Sequence, residues 1–171
     1  VLKLITPGNF EDDFEKLADC DWVIEVVVER LDIKKSVFDQ VEKYRKPGSL
    51  VSSNTSGIAL SSMVEGRSED FQKNFLITHF FNPVRYMKLV EVISGEHTDS
   101  NQQDMIVDFL ENKLGKGVVY AKDTPSFIAN RVGIYGLMNV VHKSIAGDWS
   151  VEAVDKITGP ATGKPKSATF R

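Results

Sequence analysis

The sequence predicts an α/β fold, with helices packed on the faces of a β-sheet. Short apolar runs alternate with helix-like patterns as far as residue 123. The run at 22–28, W-V-I-E-V-V-V, is apolar almost throughout, which is typical of a strand buried on both faces of a parallel sheet. Polar residues follow several of these runs, and ligands bind beyond the carboxyl ends of strands in such sheets.

The first part of the chain contains three predicted strands, at residues 1–5, 22–28 and 50–53. Asn9 is suited to cap a helix whose first turn holds the acidic residues 11–13, although such a triplet could also bind a metal. Further helices are predicted at 31–44 and 58–64, from their apolar spacing and the Pro-Gly that follows the first. Residues 66–73 are predicted to form a polar loop.

The rest of the chain divides near residue 123. Strands are predicted at 75–78, 88–93 and 117–121, with a helix at 99–114. A helix at 126–146 is apolar almost all round, so we expect it to pack against another domain or subunit. A short helix follows at 151–157. The predicted domains are therefore 1–123 and 124–171.

Composition limits the function classes. The net charge of −3 and the scattered basic residues argue against nucleic acid as a partner. Cys20 is the single cysteine, so no internal disulfide or Cys-x-x-Cys metal motif can form, and no metal site is expected. No apolar run reaches the roughly 18 residues of a membrane span. We expect a cytoplasmic protein, and the start at Val1 and the stop at Arg171 indicate a fragment.

His79 is the best candidate for a general base. It ends the strand at 75–78 and precedes the rigid Asn82-Pro83 loop. If the next strand lies alongside, Glu91 can reach the imidazole, fix its tautomer and stabilise its protonated form. The alternative is a core histidine with satisfied hydrogen bonds and a carboxylate at the surface. His97 and His142 are expected to be structural or solvated.

Ser56 lies in the polar turn S-N-T-S-G at 53–57, between a strand and a short helix. It could be the nucleophile of a Ser-His-Glu hydrolase, although no G-x-S-x-G surrounds it. It could instead bind a ligand hydroxyl, or help to cap the helix. Two phosphate-loop look-alikes fail: Gly115-Lys116-Gly117 lacks a third glycine, and the segment at 159–164 is one residue too short.

Four strings together resemble the L-3-hydroxyacyl-CoA dehydrogenases of fatty-acid β-oxidation, in order and in spacing. They are S-N-T-S at 53–56, H-F-F-N-P at 79–83, K-L-V-E-V-I at 88–93 and K-D-T-P-S-F-I-A-N-R at 122–131. The resemblance covers essentially the whole chain. It implies that 1–123 is the C-terminal part of a Rossmann-like NAD-binding domain, and that 124–171 begins an all-helical dimerisation domain. The closing segment is similar to that of the larger bacterial and archaeal members.

The resemblance also implies roles for individual residues. His79 would take the proton of the substrate 3-hydroxyl while hydride passes from C3 to NAD, and Glu91 would orient His79. Ser56 and Asn130 would hydrogen-bond the substrate oxygen or its neighbours. The cofactor would be lined by Glu29, Lys34, Ser56 and Asn82. The implied partners are an acyl-CoA substrate and a second copy of the chain.

The family's N-terminal βαβ unit, with its G-x-G-x-x-G turn, has no counterpart in these 171 residues. That turn holds the dinucleotide pyrophosphate at a helix N-terminus. We therefore expect this piece alone to bind NAD poorly and to turn over little or nothing. A structural or binding protein on the same scaffold and the Ser-His-Glu hydrolase are the alternative functions.

Overall fold

A five-stranded β-sheet forms the centre of the larger of two compact units in a computed structural model of the chain. The structure describes residues 2–163 and 168–170, and only the backbone of Leu2. The first unit is Val1–Phe127 and the second is Ile128–Arg171. Val1 of the predicted first strand and Lys164 of the second phosphate-loop look-alike lie outside the described residues.

The sheet is mixed. Its strands, in order across the sheet, are β1 (Trp22–Glu25), β2 (Leu50–Ser53), β3 (Phe75–Phe80), β4 (Leu89–Ser94) and β5 (Gly117–Ala121). β1, β2 and β3 are parallel, β4 is antiparallel to β3, and β5 is parallel to β4. Only residues 81–88 join β3 to β4, too few for the crossover of a dozen or more residues that a parallel pair needs. The short connection therefore forces the antiparallel pairing.

Six α-helices surround or follow this sheet in the described residues. They are α1 (Leu31–Tyr44), α2 (Leu60–Val64), α3 (Glu69–Lys73), α4 (Ser100–Asp108), α5 (Ala129–Ala146) and α6 (Val151–Thr158). Short 3-10 turns occur at Leu2–Leu4, Phe14–Asp19 and Pro160–Thr162, and a π-helical turn at Phe109–Lys113 extends α4. The α/β class and the helix at 31–44 are confirmed. The helix predicted at 99–114 changes its hydrogen-bond pattern after Asp108.

Apolar clusters cover both faces of the sheet. On one face, Phe38 of α1 and Phe71 of α3 pack on Phe75 of β3, with ring centroids 5.2–5.8 Å apart. On the other face, Ile106 and Leu110 pack over β3 and β4. Side chains alternate between the two faces along each strand. Odd-numbered residues of β3 therefore point towards α1–α3, and this alternation decides which polar residues share a face.

Four local predictions are wrong. Asn9 does not cap a helix that begins with residues 11–13, because the first helical turn there is a 3-10 turn that starts at Phe14. Residues 2–4 form a 3-10 turn instead of a strand, and Leu4 is 89% exposed. The strand predicted at 22–28 ends at Glu25, because the amide of Val27 donates to the Glu25 carboxylate and the chain turns away. The predicted loop at 66–73 contains α3, which Ser68 caps by accepting from the amide of Phe71.

β1 is also not buried on both faces as predicted. Ile24 is 42% exposed, and beyond the strand Val26 and Val28 are 69% and 59% exposed. The apolar run at 22–28 is therefore an exposed surface over much of its length. A β-branched run alone does not distinguish these environments.

The second unit contains α5 and α6. Most apolar side chains of α5 are exposed, among them Val132, Ile134 and Tyr135. The expectation that α5 packs against another domain or subunit stays a prediction. Within residues 2–163 and 168–170, none of the helices has the length and hydropathy that crossing a lipid bilayer requires.

Candidate active site

A buried histidine–carboxylate pair lies between β3 and β4. The two residues are directly opposite in the antiparallel register, so their side chains emerge on the same face. Nδ1 of His79 and Oε2 of Glu91 are 2.7 Å apart. His79 is 3% exposed and Glu91 is 1% exposed. The predicted strand pairing is confirmed, and the bond at Nδ1 makes Nε2 the nitrogen that can exchange a proton with a ligand.

Aromatic rings enclose the imidazole. The ring of Phe81 lies 4.5 Å from that of His79, and the ring of Phe127 lies 5.6 Å from it. Phe127 is 1% exposed and adopts a positive φ of 47°. Removing water from around a charge pair strengthens its electrostatic interaction, so this apolar surround increases the influence of Glu91 on a protonated His79.

A second pair of buried polar side chains lies on β1 and β2. Glu25 of β1 and Ser53 of β2 are register partners, and Ser53 Oγ donates to Glu25 Oε2 at 2.5 Å. By the alternation along the strands, these two residues lie on the same face as His79 and Glu91. All four are at most 4% exposed. Four buried polar side chains therefore lie on the face that α1–α3 cover, as two separate pairs, because the register partner of Ser53 on β3 is Ile77 and not His79.

The S-N-T-S-G turn is tied to both neighbouring strands. Ser53 Oγ accepts from the amide of Thr55 at 3.2 Å. Asn54 Oδ1 accepts from the amide of Phe80, directly after His79, at 2.9 Å. Thr55 Oγ1 donates to Glu29 Oε1 at 2.5 Å. The turn thus fixes the backbone beside the imidazole and reaches to the segment that follows β1.

Glu29 receives several hydrogen bonds from this turn. Its Oε1 accepts from the amides of Ser56 and Gly57, at 3.0 and 3.1 Å, in addition to the Thr55 hydroxyl. Burial raises the pKa of Glu29, but the Thr55 hydroxyl, the charge of Lys34 and the Ser56 amide together hold this pKa below its ordinary value. Glu29 is therefore a stable anion at neutral pH, and its side chain is 45% exposed.

Lys34 is buried instead of facing an open crevice. Its side chain is 1% exposed, and Nζ lies 2.8 and 3.0 Å from the two carboxylate oxygens of Glu25. Nζ also lies 3.3 Å from Oε2 of Glu29 and 3.4 Å from the carbonyl of Val27. The ammonium thus has four oxygen neighbours within the protein, and contact of Lys34 with a cofactor stays a prediction.

The remaining predicted site residues differ in their surroundings. Ser56 is exposed on the turn at 53–57, and Asn82 is exposed at a cis bond to Pro83. Asn130 is half-buried in the first turn of α5, in the second unit. The structure brings His79 together with Glu91, and Glu29 together with Lys34 and the backbone of Ser56. Contacts of Ser56, Asn82 and Asn130 with ligands stay predictions.

Four residues of the site were not predicted from the sequence: Glu25, Ser53, Asn54 and Thr55. Glu25 interrupts the apolar run at 22–28. A charged residue in a predicted buried strand indicates that the protein holds a partner for it, and this signal could have identified Glu25. In the polar turn at 53–57, the sequence predicts a ligand-binding role for Ser56 alone and at most a helix-capping role for Ser53 and Thr55. Within the described residues, no group of three or more histidine, cysteine, aspartate or glutamate side chains could hold a metal ion.

Comparison with known proteins gives a consistent result. Residues 1–124 match the family model described as "3-hydroxyacyl-CoA dehydrogenase, NAD binding domain". A probable 3-hydroxyacyl-CoA dehydrogenase of Bacillus subtilis is 59% identical over 98% of this chain, which covers 21% of that protein. One of Deinococcus radiodurans is 47% identical over 99% of this chain, which covers 49% of that protein. The chain therefore spans about a fifth of the length of the Bacillus subtilis relative and about half of the length of the Deinococcus radiodurans relative.

A solved structure agrees with the sequence relatives. The (S)-3-hydroxybutyryl-CoA dehydrogenase of Ralstonia eutropha superposes with a TM-score of 0.77 at 29% identity. The superposition covers 89% of this chain and 53% of that protein. The fold described above is therefore shared with a dehydrogenase of known structure.

Proposed function

Since the chain belongs to the 3-hydroxyacyl-CoA dehydrogenase family, we propose that it carries the proton-transfer centre of an NAD-dependent enzyme that oxidises L-3-hydroxyacyl-CoA to 3-oxoacyl-CoA. The observation that carries the proposal is the 2.7 Å bond between His79 Nδ1 and Glu91 Oε2 inside the sheet. A buried imidazole paired in this way is oriented, and its protonated form is stabilised. Fatty-acid β-oxidation is the proposed setting.

The residues at the carboxyl ends of β1 and β2 fit one end of NAD. Exposed Val26 and Val28 offer apolar surface for a ring, and ionised Glu29 offers an acceptor for ribose hydroxyls. Exposed Ser56 adds a hydroxyl beside them. No glycine-rich turn of the dinucleotide-binding type occurs in the 171 residues, so these residues fit only the nicotinamide–ribose end.

When bound, NAD supplies the hydride acceptor. The protein supplies orientation and proton transfer. Nε2 of His79 takes the proton of the substrate 3-hydroxyl, and Glu91 stabilises the imidazolium that results. By the family resemblance, Ser56 and Asn130 each hydrogen-bond the substrate oxygen or its neighbours. The enclosing Phe81 and Phe127 limit the access of water to the imidazole.

The helical unit supports a further part of the proposal. α5 exposes large apolar side chains, which favours burial against a second copy of the protein. The proposed partners are therefore an acyl-CoA substrate and a second subunit. A cytoplasmic location stays a prediction from the sequence.

Replacement of His79 by glutamine tests the proposal in the full-length protein that contains this chain. We expect NADH consumption with acetoacetyl-CoA to fall by about 10²- to 10⁴-fold, because general acid–base catalysis contributes on that order and His79 returns the proton to the substrate oxygen in this direction. His97→Gln is the matched control, since His97 is exposed on the turn after β4. Unchanged turnover of the His79 variant, or an equal loss in both variants, would refute the assignment.

A further inference from the structure

Glu25 is a buried carboxylate, as Glu91 is, and the proposed chemistry gives it no role. Its side chain is 1% exposed. Oε1 accepts from the amide of Val27 at 2.6 Å, and Oε2 accepts from Ser53 Oγ at 2.5 Å. Lys34 Nζ lies within 3.0 Å of both oxygens. Glu25 therefore joins the end of β1, the end of β2 and the first turns of α1.

Two series of hydrogen bonds and ion pairs, called routes below, connect Glu25 to the turn that carries Ser56. The direct route passes through Ser53 Oγ, which donates to Glu25 and accepts from the amide of Thr55. The second route passes through Lys34, whose Nζ is 3.3 Å from Glu29 Oε2. The other oxygen of Glu29 accepts from the Thr55 hydroxyl and from two amides of the turn. Both routes therefore end on residues 55–57.

The backbone supports the same connection. The amide of Asn54 donates to the carbonyl of Glu25 at 2.9 Å, and Asn54 Oδ1 accepts from the amide of Phe80. The turn is thus held between the Glu25 network and the strand that carries His79. A shift of the turn would change the distance between Ser56 and the imidazole.

We propose that Glu25 is a positioning residue, which acts through Lys34 and Ser53 to fix the Ser56 turn against the strand of His79. This proposal rests on the proposed function for its catalytic consequence. Glu25 itself touches neither substrate nor cofactor in this account. Lys34 belongs to the cofactor region because it holds Glu29, whose carboxylate faces outward.

Stability alone does not account for the pair. Removing two charges from water is costly, and replacing a buried ion pair by apolar residues of similar size is often neutral or stabilising. Removing one partner is strongly destabilising, because the other charge stays buried without compensation. What the paired carboxylate and ammonium supply, and an apolar pair cannot, is the set of directed hydrogen bonds to Val27, Ser53 and Glu29.

The experiment compares Glu25→Gln, Lys34→Met and the double variant E25Q/K34M in the full-length protein. We expect each single variant to lower the melting temperature and the double variant to recover most of that loss. In the double variant, the amides of Thr55, Ser56 and Gly57 should still exchange with deuterium at least about tenfold faster than in the wild type. The kcat/KM for NADH and acetoacetyl-CoA should fall by about 10- to 100-fold, on the order expected for misplaced groups.

Asp70→Asn is the matched control. It removes the carboxylate partner of Arg45, another buried cation, which lies just after the other end of α1. This variant should lose stability but keep wild-type exchange at 55–57 and kcat/KM within about twofold. Wild-type exchange at 55–57 in E25Q/K34M would overturn the proposal, as would equally faster exchange in the Asp70 variant.

The exchange measurement needs no catalytic activity. If the wild-type protein fails to oxidise NADH while the exchange differences appear, the proposed function falls and the positioning role of Glu25 stands. If the wild type is active and the double variant keeps wild-type kcat/KM, the positioning role falls and the proposed function stands.

Discussion

Glu91→Gln removes the negative charge beside His79 and keeps nearly the same shape. The glutamine oxygen can still accept from Nδ1, so the orientation and tautomer of the imidazole are retained. Glu91 is 1% exposed in the middle of the sheet, and the two paired atoms are 2.7 Å apart. The variant therefore separates the contribution of charge from that of position.

The size of the effect follows from Coulomb's law. Two unit charges about 4 Å apart interact by about 4 kcal/mol at an effective dielectric constant of about 20. In the ground state His79 need not be charged, whereas it gains a proton as the substrate hydroxyl loses one. Most of this interaction therefore appears in the transition state, and since each 1.4 kcal/mol is tenfold, kcat should fall by about 10²- to 10³-fold.

The assay is steady-state NADH formation from NAD and L-3-hydroxybutyryl-CoA by the full-length protein, at saturating concentrations of both, because His79 gains its proton in this direction. Glu96→Gln is the control, because it makes the same chemical change at an exposed residue in the turn directly after β4. Circular dichroism of the Glu91 variant should match that of the wild type. A kcat within about tenfold of wild type would show that the charge of Glu91 does not support His79.

Three further predictions concern the framework of the site. Phe71→Ala should reduce the free energy of unfolding in urea by about 3–5 kcal/mol, since Phe71 is completely buried, whereas Phe10→Ala, at a residue 65% exposed, should change it little. The pKa of Glu29 is lowered in the folded protein, so its ionised form adds stability above its ordinary pKa, and this stability is lost as the pH falls through the lowered pKa. Glu29→Gln should therefore make the urea midpoint of unfolding depend less on acid pH. An unchanged pH dependence would argue against the hydrogen bonds of Glu29 to the turn at 55–57. Asn54→Ala should cost about 1–3 kcal/mol and speed deuterium exchange at the amide of Phe80, whose acceptor it removes.

The pairing at the centre of the site could be predicted from the sequence, because strand alternation and a short connection fix it. His79 and Glu91 flank a connection that is too short for a crossover, so the two strands must be adjacent. The same argument would have predicted the antiparallel pairing of β4. The polar residues after β1, β2 and β3 were also expected at one edge, and the hydrogen bonds between Glu29 and the Ser56 turn agree.

The parts that could not be predicted depend on side-chain contacts that hydrophobic periodicity does not reveal. α3 has five residues and a single fully buried apolar side chain, Phe71, which gives no helical period to detect. The run at 22–28 has the composition of a buried strand. The strand nevertheless ends at Glu25, because the Glu25 carboxylate accepts a hydrogen bond from the amide of Val27. The burial of Lys34 follows from its two carboxylate partners, nine and five residues away, and helix periodicity does not reveal them.

The most direct test of the central claim measures kcat and NADH affinity on one sample of the His79→Gln variant of the full-length protein. The account predicts that kcat falls by at least about 100-fold while the Kd for NADH stays within about twofold of wild type, because His79 transfers a proton and does not hold the cofactor. A variant that retains wild-type kcat would contradict the account, and so would one whose whole loss of activity comes from weaker NADH binding.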